Sequence, residues 1–379
     1  MILPGATLGM LGGGQLGRMF TVAARTMGYE VIVLDPDPDS PAGKLATEHL
    51  RADYEDTAAL EYMGHTCAVI TTEFENVPAA TLATLERRCP VRPSAAAVAT
   101  AQDRICEKSF LRDAGFATAP FAVIRCEADL EAAIAHIGVP SILKVSRLGY
   151  DGKGQLRIEQ ADDARYAFAA LRHEPCVLER RIDLEREISV VLARRTDGQI
   201  AIFPPAENQH CNGILDISIV PARVGSDVAS AAQNVACAIA ARLHYVGVLA
   251  VEFFLARDGQ LLVNEIAPRP HNSGHFTIDA CATSQFEQQV RAVCDLTLGD
   301  TRLFSPVVMV NLIGDQWPDQ GQPDWATVLR EATAKLHLYG KRAARPGRKM
   351  GHYCVLDVDP NEALARALAI KAALTDAAS

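Results

Sequence analysis

The sequence predicts a multidomain protein that combines an α/β part with an α+β part, and three observations support this prediction. A chain of 379 residues with 49% hydrophobic and 22% charged residues is long enough for two or three domains with sizeable cores. Up to about residue 98, short apolar runs alternate with helical segments, a pattern typical of βαβ units and a parallel sheet. Farther on, the apolar runs VLAVEFFL (248–255) and VNEIAP (263–268) flank an Asp258-Gly259 pair, which indicates an antiparallel hairpin.

The order of these runs divides the chain into three predicted domains, with boundaries at residues 1–98, 99–298 and 299–379. The middle domain is predicted to open with one helix over 100–115 and to continue through strands such as SILKVS and CVLERRI. The last domain is predicted to start with the strand VVMVNLIG and to end in an alanine-rich helix after Pro360. We see no internal repeat or low-complexity linker, so we expect the domains to pack tightly together.

Composition excludes several classes of function. A net charge of −9 argues against general nucleic-acid binding. No run is apolar enough for a membrane span, and the first residues lack the basic region of a signal peptide. The ten cysteines are scattered singly without a CxxC pair, which predicts reduced thiols in a cytoplasmic protein.

The predicted hairpin carries the most informative side chains. Glu252 and Glu265 should lie side by side on its two strands, with Asn264 next to Glu265. Two carboxylates and an amide oxygen make a hard, all-oxygen site that suits Mg²⁺ bound to nucleotide phosphates. Solvated acids at strand ends are the alternative. The flanking residues are almost wholly apolar, and buried acids without partners are costly, so the metal site is the better interpretation.

A glycine loop near the N-terminus allows two interpretations. The pattern GxGxxG (12–17) follows a strand and precedes a helix, and Asp35 ends the next strand. This resembles the dinucleotide-binding fingerprint, so a nicotinamide or flavin oxidoreductase is one hypothesis. Backbone N–H groups near Gln15 and Leu16 could equally bind the phosphate of a nucleotide-like substrate, since any helix N-terminus favours an anion.

A second glycine-rich segment, GYDGKGQ (149–155), directly follows the strand that carries Lys144. Such a turn can fold over a triphosphate and offer it backbone amides and a cation. It does not match the P-loop pattern GxxxxGK[ST]. Lysine is seldom buried in a strand without a partner, and a phosphate is a natural partner for Lys144. Arg104 in the preceding helix is a candidate second cation, although a lone helix arginine is usually an exposed charge.

The segment CVLERRIDLEREISV (176–190) has the pattern of a strand, a short hinge and a second strand. Backbone groups of the hinge can hydrogen-bond an adenine edge, and Glu187 near the start of the second strand can bind ribose hydroxyls. Taken alone, these are ordinary surface acids.

The order of these features resembles the ATP-grasp superfamily over almost the whole chain and, within it, the N5-carboxyaminoimidazole ribonucleotide synthetases of purine biosynthesis. The motifs that carry the resemblance are GGGQLGRM (12–19), TTEFENVP (71–78), GYDGKGQ (149–155), ENQH (207–210), NEIAPRPHNSGH (264–275) and YGKRAARPGRKMGH (339–352). The resemblance implies an N-terminal βαβ domain, a central ATP-binding region of two subdomains that clasp the nucleotide, and a small C-terminal domain. It further implies ATP and a pair of Mg²⁺ ions as cofactors, a cytoplasmic location and a homodimer.

The resemblance also implies a role for each matching residue. The catalytic residues would be Lys144, Asp151 and Arg269, and the metal ligands Glu252 and Glu265. The ATP site would comprise Arg104, Lys144, Gly149, Tyr150, Asp151, Gly152, Lys153, Gly154, Gln155, Glu179, Arg180, Arg181, Ile182, Glu187, His210, Asn264 and Glu265. The substrate site would comprise Gln15, Leu16, Glu73, Asp151, Arg269, Asn272, Lys341, Arg348 and Lys349. Arg180 and Arg181 depart from the less charged hinge expected of the family, which limits them to backbone contacts with adenine.

The implied reaction is the ATP-dependent carboxylation of 5-aminoimidazole ribonucleotide by bicarbonate. Bicarbonate is a poor electrophile, and phosphorylation to carboxyphosphate supplies a leaving group.

The five cations of residues 341–349 more plausibly form an anion site than a solvated loop. His271 and His275 flank the site as structural hydrogen-bonders or proton carriers. The alternatives are a formate-dependent glycinamide ribonucleotide transformylase, a nicotinamide-dependent oxidoreductase and a non-catalytic nucleotide-binding subunit.

Overall fold

The computed structural model describes residues 1–149, 152–318 and 321–378, and it leaves out the side chains of 376–378. Tyr150 and Asp151 therefore lie outside the described residues. All ten cysteines are free thiols, as predicted. None of the helices in the described ranges is both long and apolar enough to cross a membrane.

The first sheet is parallel, as the alternating pattern predicts. Its strands, in the spatial order β3-β2-β1-β4, are β1 (Thr7–Leu11), β2 (Glu30–Leu34), β3 (Glu48–Leu50) and β4 (Val69–Thr72). The helices of this part are α1 (Gln15–Thr26), α2 (Thr57–Thr66) and α3 (Ala79–Glu86). Strands β1, β2 and β4 are almost wholly buried, which explains their apolar runs, whereas the edge strand β3 is half-buried.

The single helix expected over 100–115 is wrong, because the structure has two helices there. These are α4 (Ala95–Gln102) and α5 (Arg104–Asp113). Asp103 between them has an extended backbone, and its carboxylate accepts hydrogen bonds from the Ile105 and Cys106 N–H groups. An aspartate N-cap begins a new helix, and here it places Arg104 in the first turn of α5.

A small antiparallel sheet follows, and two helices cover it. Its strands, in the order β5-β8-β6-β7, are β5 (Phe121–Ile124), β6 (Ser141–Val145), β7 (Gln155–Ile158) and β8 (Cys176–Arg180). The helices are α6 (Ala128–Ile137) and α7 (Asp163–Ala170). Leu143, Leu178 and Phe168 lie in their common core. The glycine-rich segment connects β6 to β7.

The third sheet has nine strands and forms the platform of the molecule. They are β9 (Leu184–Arg194), β10 (Ile200–Ile202), β11 (Ala206–Cys211), β12 (Ile214–Val220), β13 (Gly247–Ala256), β14 (Leu261–Ala267), β15 (Val307–Ile313), β16 (Ala334–Leu338) and β17 (Lys349–Leu356). Their order is β14-β13-β9-β11-β12-β15-β17-β16, with β10 paired to β9. Because β12 pairs with β15, this sheet continues across the boundary predicted at residue 299.

Helices on both faces attach this platform to the rest of the chain. They are α8 (Ser226–Arg242), α9 (Thr277–Ala280), α10 (Gln285–Val293), α11 (Ala326–Leu329) and α12 (Pro360–Ala378), with 3₁₀ turns at Asn272–Gly274 and Gly314–Gln316. Phe286 and Val290 of α10 pack into the core of the first sheet. The expected tight packing between the parts of the chain is therefore present.

Candidate active site

The hairpin of β13 and β14 forms the acidic wall of the site. Glu252 and Glu265 are opposite each other in the antiparallel register, as predicted. The register shifts after Glu252, so that Phe253 pairs with Val263 and Asn264 becomes the extra residue of a bulge. Neighbouring residues of a regular strand point to opposite faces, but a bulge re-aims one of them. Asn264 and Glu265 consequently both line the same cavity.

The charges of this wall are only partly balanced. Glu252 Oε1 lies 3.2 Å from His271 Nε2, and Glu265 Oε2 lies 3.1 Å from Arg104 Nη1. Burial, reinforced by the charge of Glu265, raises the pKa of Glu252 to about 7. Among the described residues, the buried Asn264 Oδ1 has no hydrogen-bond partner. Two close carboxylates and an unpartnered amide oxygen fit a hard divalent cation such as Mg²⁺.

Lys144 of β6 lines the cavity and forms an ion pair with a buried carboxylate of the protein, while its contact with a phosphate stays a prediction. Its Nζ lies 2.8 Å from Glu179 Oε2, and the fully buried Lys108 Nζ lies 3.4 Å from Glu179 Oε1. Burial acts to raise the pKa of Glu179, but the two ammonium groups outweigh it and hold the pKa at about 2. Two cations around one carboxylate leave a net positive charge, which a phosphate can share.

The hinge between β8 and β9 has the predicted strand, turn, strand form, and its arginine side chains point away from the cavity. Arg180 Nε donates to Ile137 O at 3.0 Å, and Arg181 Nη1 pairs with Glu159 Oε1 at 2.6 Å. Beyond the hinge, His210 Nδ1 lies 3.0 Å from Glu187 Oε2. Burial lowers the pKa of His210, but the adjacent Glu187 carboxylate more than compensates and raises it.

Several backbone N–H groups of the N-terminal glycine loop donate hydrogen bonds to carboxylates of the same domain. Asp35 Oδ2 accepts hydrogen bonds from the Gly13 N–H at 2.6 Å and from the Tyr54 hydroxyl at 2.9 Å. Glu73 accepts from the Gly14 N–H and, at 2.6 Å, from the Gly17 N–H. Asp35 is thus held by the loop itself, which is unlike an acid that binds a nicotinamide ribose.

The basic segment of residues 341–349 forms another part of the cavity wall. Lys341, Arg345, Arg348 and Lys349 all line it. Arg348 Nη1 donates to Ala343 O at 3.0 Å, and Lys341 Nζ donates to Lys349 O at 2.7 Å, so the backbone of the segment is folded around its own cations. These contacts preorganise positive charge for an anion.

Two further residues that line the cavity, Arg269 and Asn272, are each oriented by a polar partner. Arg269 forms a bidentate ion pair with Glu75, with Nη2 and Oε1 3.2 Å apart. Asn272 Nδ2 donates to Asn311 Oδ1 at 3.0 Å, and Asn311 Nδ2 donates back to Asn272 Oδ1 at 2.8 Å. Arg269 is therefore oriented by an acid from the first domain, while the amide of Asn272 is anchored to β15.

Comparisons with known proteins agree with this geometry. Three family models match in succession: a ribonucleotide synthetase preATP-grasp domain over residues 5–102, an ATP-grasp domain over 109–286 and a phosphoribosylaminoimidazole carboxylase C-terminal domain over 307–366. The N5-carboxyaminoimidazole ribonucleotide synthase of Brucella melitensis is 48% identical over 351 residues, which cover 92% of this chain and 96% of that protein. The chain belongs to the N5-carboxyaminoimidazole ribonucleotide synthase family.

Solved structures of the family superpose closely on this chain. An ADP complex of an N5-carboxyaminoimidazole ribonucleotide synthetase is 40% identical, with a TM-score of 0.92 and coverage of 100% of this chain and 99% of the other. The Aspergillus clavatus synthase, in complex with ADP and 5-aminoimidazole ribonucleotide, is 31% identical, with a TM-score of 0.90 and 98% coverage of both chains. The predicted ATP-grasp fold is thereby confirmed.

Most of the side chains predicted from the family motifs meet in one cavity of about 860 Å³. Those that line it are Gln15, Leu16, Glu73, Arg104, Lys144, Gly149, Gly152, Lys153, Gln155, Glu187, His210, Glu252, Asn264, Glu265, Arg269, Asn272, Lys341, Arg348 and Lys349. Those outside its lining are Gly154, Glu179, Arg180, Arg181 and Ile182. Tyr150 and Asp151 fall outside the described residues, so their assignment stays a prediction.

Sequence reasoning missed several residues of the site. Glu75 pairs with Arg269, and Glu107, which lines the cavity, accepts a hydrogen bond from the Ile266 N–H. Lys108 shares Glu179 with Lys144. Glu75 stands inside the family motif TTEFENVP, which was a usable signal. Glu107 and Lys108 had none, because charged residues in a helix usually face solvent.

Proposed function

We propose that this chain is an ATP-dependent ligase that carboxylates the exocyclic amine of 5-aminoimidazole ribonucleotide with bicarbonate, giving N5-carboxyaminoimidazole ribonucleotide, ADP and phosphate. The observation that carries the proposal is the single cavity in which an acidic wall, a glycine-rich segment and a separate basic segment face each other. Two anion-binding regions in one cavity suit two phosphorylated ligands. The names of the family members support the same activity.

The ATP end of the cavity is assigned to the side that contains Lys144. Lys144 and Arg104 would bind the triphosphate, and the segment 149–155 would cover it as a lid. Because the side chains of Arg180 and Arg181 are engaged elsewhere, adenine would contact only the hinge backbone. Ile182 follows these arginines in the hinge, and the family resemblance assigns its backbone to this contact.

Glu252, Glu265 and Asn264 would hold Mg²⁺, as one ion or a pair. The cation, when bound, would neutralise the charge that develops on the β- and γ-phosphates. The raised pKa of Glu252 supports this assignment, because burial and the nearby Glu265 charge disfavour its anionic form, which a bound divalent cation would stabilise. Arg104, already 3.1 Å from Glu265, would link the metal ligands to the phosphates.

The ribonucleotide phosphate is assigned to the part of the cavity between the first glycine loop and the basic segment. Glu73 occupies the Gly14 and Gly17 amides, so the Gln15 and Leu16 amides of the first turn of α1 remain for a phosphate. Lys341, Arg348 and Lys349 would supply the charge. Glu73, Arg269 and Asn272 would then lie nearest the aminoimidazole, together with Asp151.

The proposed chemistry has two steps. A bicarbonate oxygen attacks the γ-phosphorus of ATP, and the bond to the β-phosphate oxygen breaks to release ADP. The amine nitrogen then attacks the carbon of carboxyphosphate, loses a proton, and expels inorganic phosphate. Lys144 and Arg269 would stabilise the charge on the transferred phosphoryl and carboxyl groups, and a closed cavity would exclude water that hydrolyses the intermediate.

Phosphate release from ATP tests the proposal and separates the alternatives. We expect release only when Mg²⁺, bicarbonate and 5-aminoimidazole ribonucleotide are all present. Release that requires glycinamide ribonucleotide and formate would instead support the transformylase. The absence of turnover with every acceptor, together with tight ADP binding, would support a non-catalytic nucleotide-binding subunit.

Binding calorimetry tests the oxidoreductase alternative directly. We expect ATP or ADP to bind, and NAD and NADP not to bind, since Asp35 is hydrogen-bonded to Gly13 and Tyr54. Tight nicotinamide binding that Asp35→Ala abolishes would revive that alternative.

The proposal also includes the predicted domain boundaries, a homodimer and a cytoplasmic location.

A further inference from the structure

The imidazole of His271 stands between the acidic wall and a buried polar chain. Its Nε2 lies 3.2 Å from Glu252 Oε1, a distance at which an N–H can donate to a carboxylate. Its other nitrogen, Nδ1, accepts a hydrogen bond from the backbone N–H of Ser273 at 3.3 Å. A backbone N–H can only donate, so Nδ1 carries no proton. The neutral ring must then carry its proton on Nε2, facing Glu252.

A chain of buried side chains behind His271 supports the same tautomer. Ser218 Oγ donates to Asn208 Oδ1 at 2.9 Å, and Asn208 Nδ2 donates to Ser189 Oγ at 2.9 Å. Ser189 Oγ donates in turn to Ser273 Oγ at 2.7 Å. Ser273 Oγ lies 2.8 Å from His271 Nδ1, and because it already accepts from Ser189, its own proton is available to that nitrogen.

The positions of these side chains on neighbouring strands explain why the donor-to-acceptor direction of the hydrogen-bond chain is fixed. Ser189 is on β9 and pairs in register with Glu252 of β13, while Asn208 and Ser218 follow on β11 and β12. All of these chain members are buried, so water does not offer them alternative partners. Side chains of the platform sheet therefore orient the His271 ring through hydrogen bonds that end at its Nδ1.

We propose that His271 is a positioning residue, which presents Nε2–H to one oxygen of Glu252 and so orients this carboxylate toward the divalent cation. The inference rests on the proposed function of the acidic wall. Ligands of bound metals are commonly held by such outer hydrogen bonds, whose removal typically lowers metal affinity about 10–100-fold. No part of the carboxylation chemistry is assigned to His271 itself.

Calorimetry of ADP binding, with Mg²⁺ and with a chelator, tests the role. His271→Leu should weaken Mg²⁺-dependent ADP binding about 10–100-fold and leave ADP binding in chelator unchanged. His271→Gln, whose amide N–H has a similar reach, should restore most of the loss. His65→Leu, at an exposed histidine on α2, is the control and should change neither affinity.

Nitrogen NMR on the wild-type protein with ¹⁵N-labelled histidine keeps the proposal testable if His271→Leu does not fold. His271→Gln assigns the resonances, which should report a bare Nδ1 and a protonated Nε2. A protonated Nδ1 would overturn the proposal. So would a His271→Leu variant that binds ADP in the presence of Mg²⁺ as tightly as wild type, because His271 would then have no effect on the metal ligand. Neither binding test requires carboxylation, so the failure of the proposed reaction is a separate result.

Discussion

Three acids of the cavity, Glu252, Glu265 and Glu107, are each compensated by a different group. His271 lies next to Glu252, Arg104 lies next to Glu265, and the Ile266 N–H donates to Glu107. Each partner offsets part of the cost of burying a carboxylate, but none supplies the charge of a divalent cation. The acidic wall is therefore predisposed to bind a metal together with a polyphosphate.

Glu265→Gln should abolish turnover and weaken Mg²⁺-dependent ADP binding while the protein remains folded. The reason is that an amide keeps the shape of the side chain but removes the anionic metal ligand. Phosphate release and calorimetry measure the two effects. Glu185→Gln, at an exposed position on the neighbouring strand β9, should behave as wild type. Near-native turnover of Glu265→Gln at limiting Mg²⁺ would make the metal assignment wrong.

Glu107→Gln should alter the pH dependence of stability. Burial, reinforced by the charge of Glu265, raises the pKa of Glu107 from its ordinary value of 4.5 to about 8. Between these values the unfolded carboxyl releases its proton and the folded one retains it, so the contribution of Glu107 to stability is lost as pH rises through this window.

A glutamine is neutral at every pH and can still accept from Ile266, so the variant should gain stability relative to wild type as pH rises from 4.5 to 8. We expect a relative gain of a few kcal/mol at most, since one pKa unit corresponds to about 1.4 kcal/mol. Urea unfolding at about pH 5 and about pH 8 measures it. A difference between the two proteins that does not vary with pH would contradict a raised pKa.

At the scale of elements, the segment between β6 and β7 depends on glycine geometry. Gly154 has a φ of 71°, and a Cβ at this position would lie 2.5 Å from Val145 Cγ2. A side chain here would shift the segment away from the strand that carries Lys144. The position of Gly154, in the segment proposed to cover the triphosphate, is thus set by close contact with β6.

Gly154→Ala should raise the KM for ATP about tenfold or more, and steady-state kinetics measures it. Gly259→Ala is a matched control, since Gly259 has a φ of 86° but no atom within 4 Å of the place a Cβ would occupy. Both variants should lose roughly 1–2 kcal/mol of unfolding free energy from the positive φ. Equal kinetic defects in the two variants would show that general strain, rather than the segment, is responsible.

At the scale of the whole molecule, the cavity exists only because three parts of the chain converge on it. The first glycine loop, the central hairpin and the basic segment all contribute lining residues. Arg342 Nη1 also pairs with Asp39 Oδ2 at 3.0 Å, but both side chains are exposed, so this ion pair contributes little to holding the parts together. The proposed ribonucleotide site and the proposed ATP site are therefore formed by different parts of the chain within one cavity.

Arg348→Ala and Lys341→Ala should each raise the KM for 5-aminoimidazole ribonucleotide about 10–100-fold, because hydrogen bonds to charged groups contribute about 1.5–3 kcal/mol. Their ADP affinity should remain nearly unchanged. Arg342→Ala removes a cation from the same segment that does not line the cavity, and it should leave both parameters unchanged. A parallel loss of ADP affinity would move the basic segment to the ATP site.

The sequence was sufficient for the local features of the site. The Asp258-Gly259 turn predicts the hairpin and places Glu252 opposite Glu265, because turn chemistry and strand alternation act over a few residues. The family motifs likewise predict the ATP-grasp fold, which the matching family models and solved structures confirm. The break at Asp103 was missed, although an aspartate before a helical run is a local N-cap signal.

Contacts between distant residues were decided by the tertiary structure alone. The bulge at Asn264 turns two adjacent side chains toward one cavity, and the pairing of Glu75 with Arg269 joins the loop after β4 to the loop after β14. Likewise, the burial of Lys108 beside Glu179 depends on how α5 packs on β8. A sequence determines which side chains are present and the periodicity of their elements, but the partner of a buried charge is chosen by packing, where desolvation makes an unpaired charge too costly.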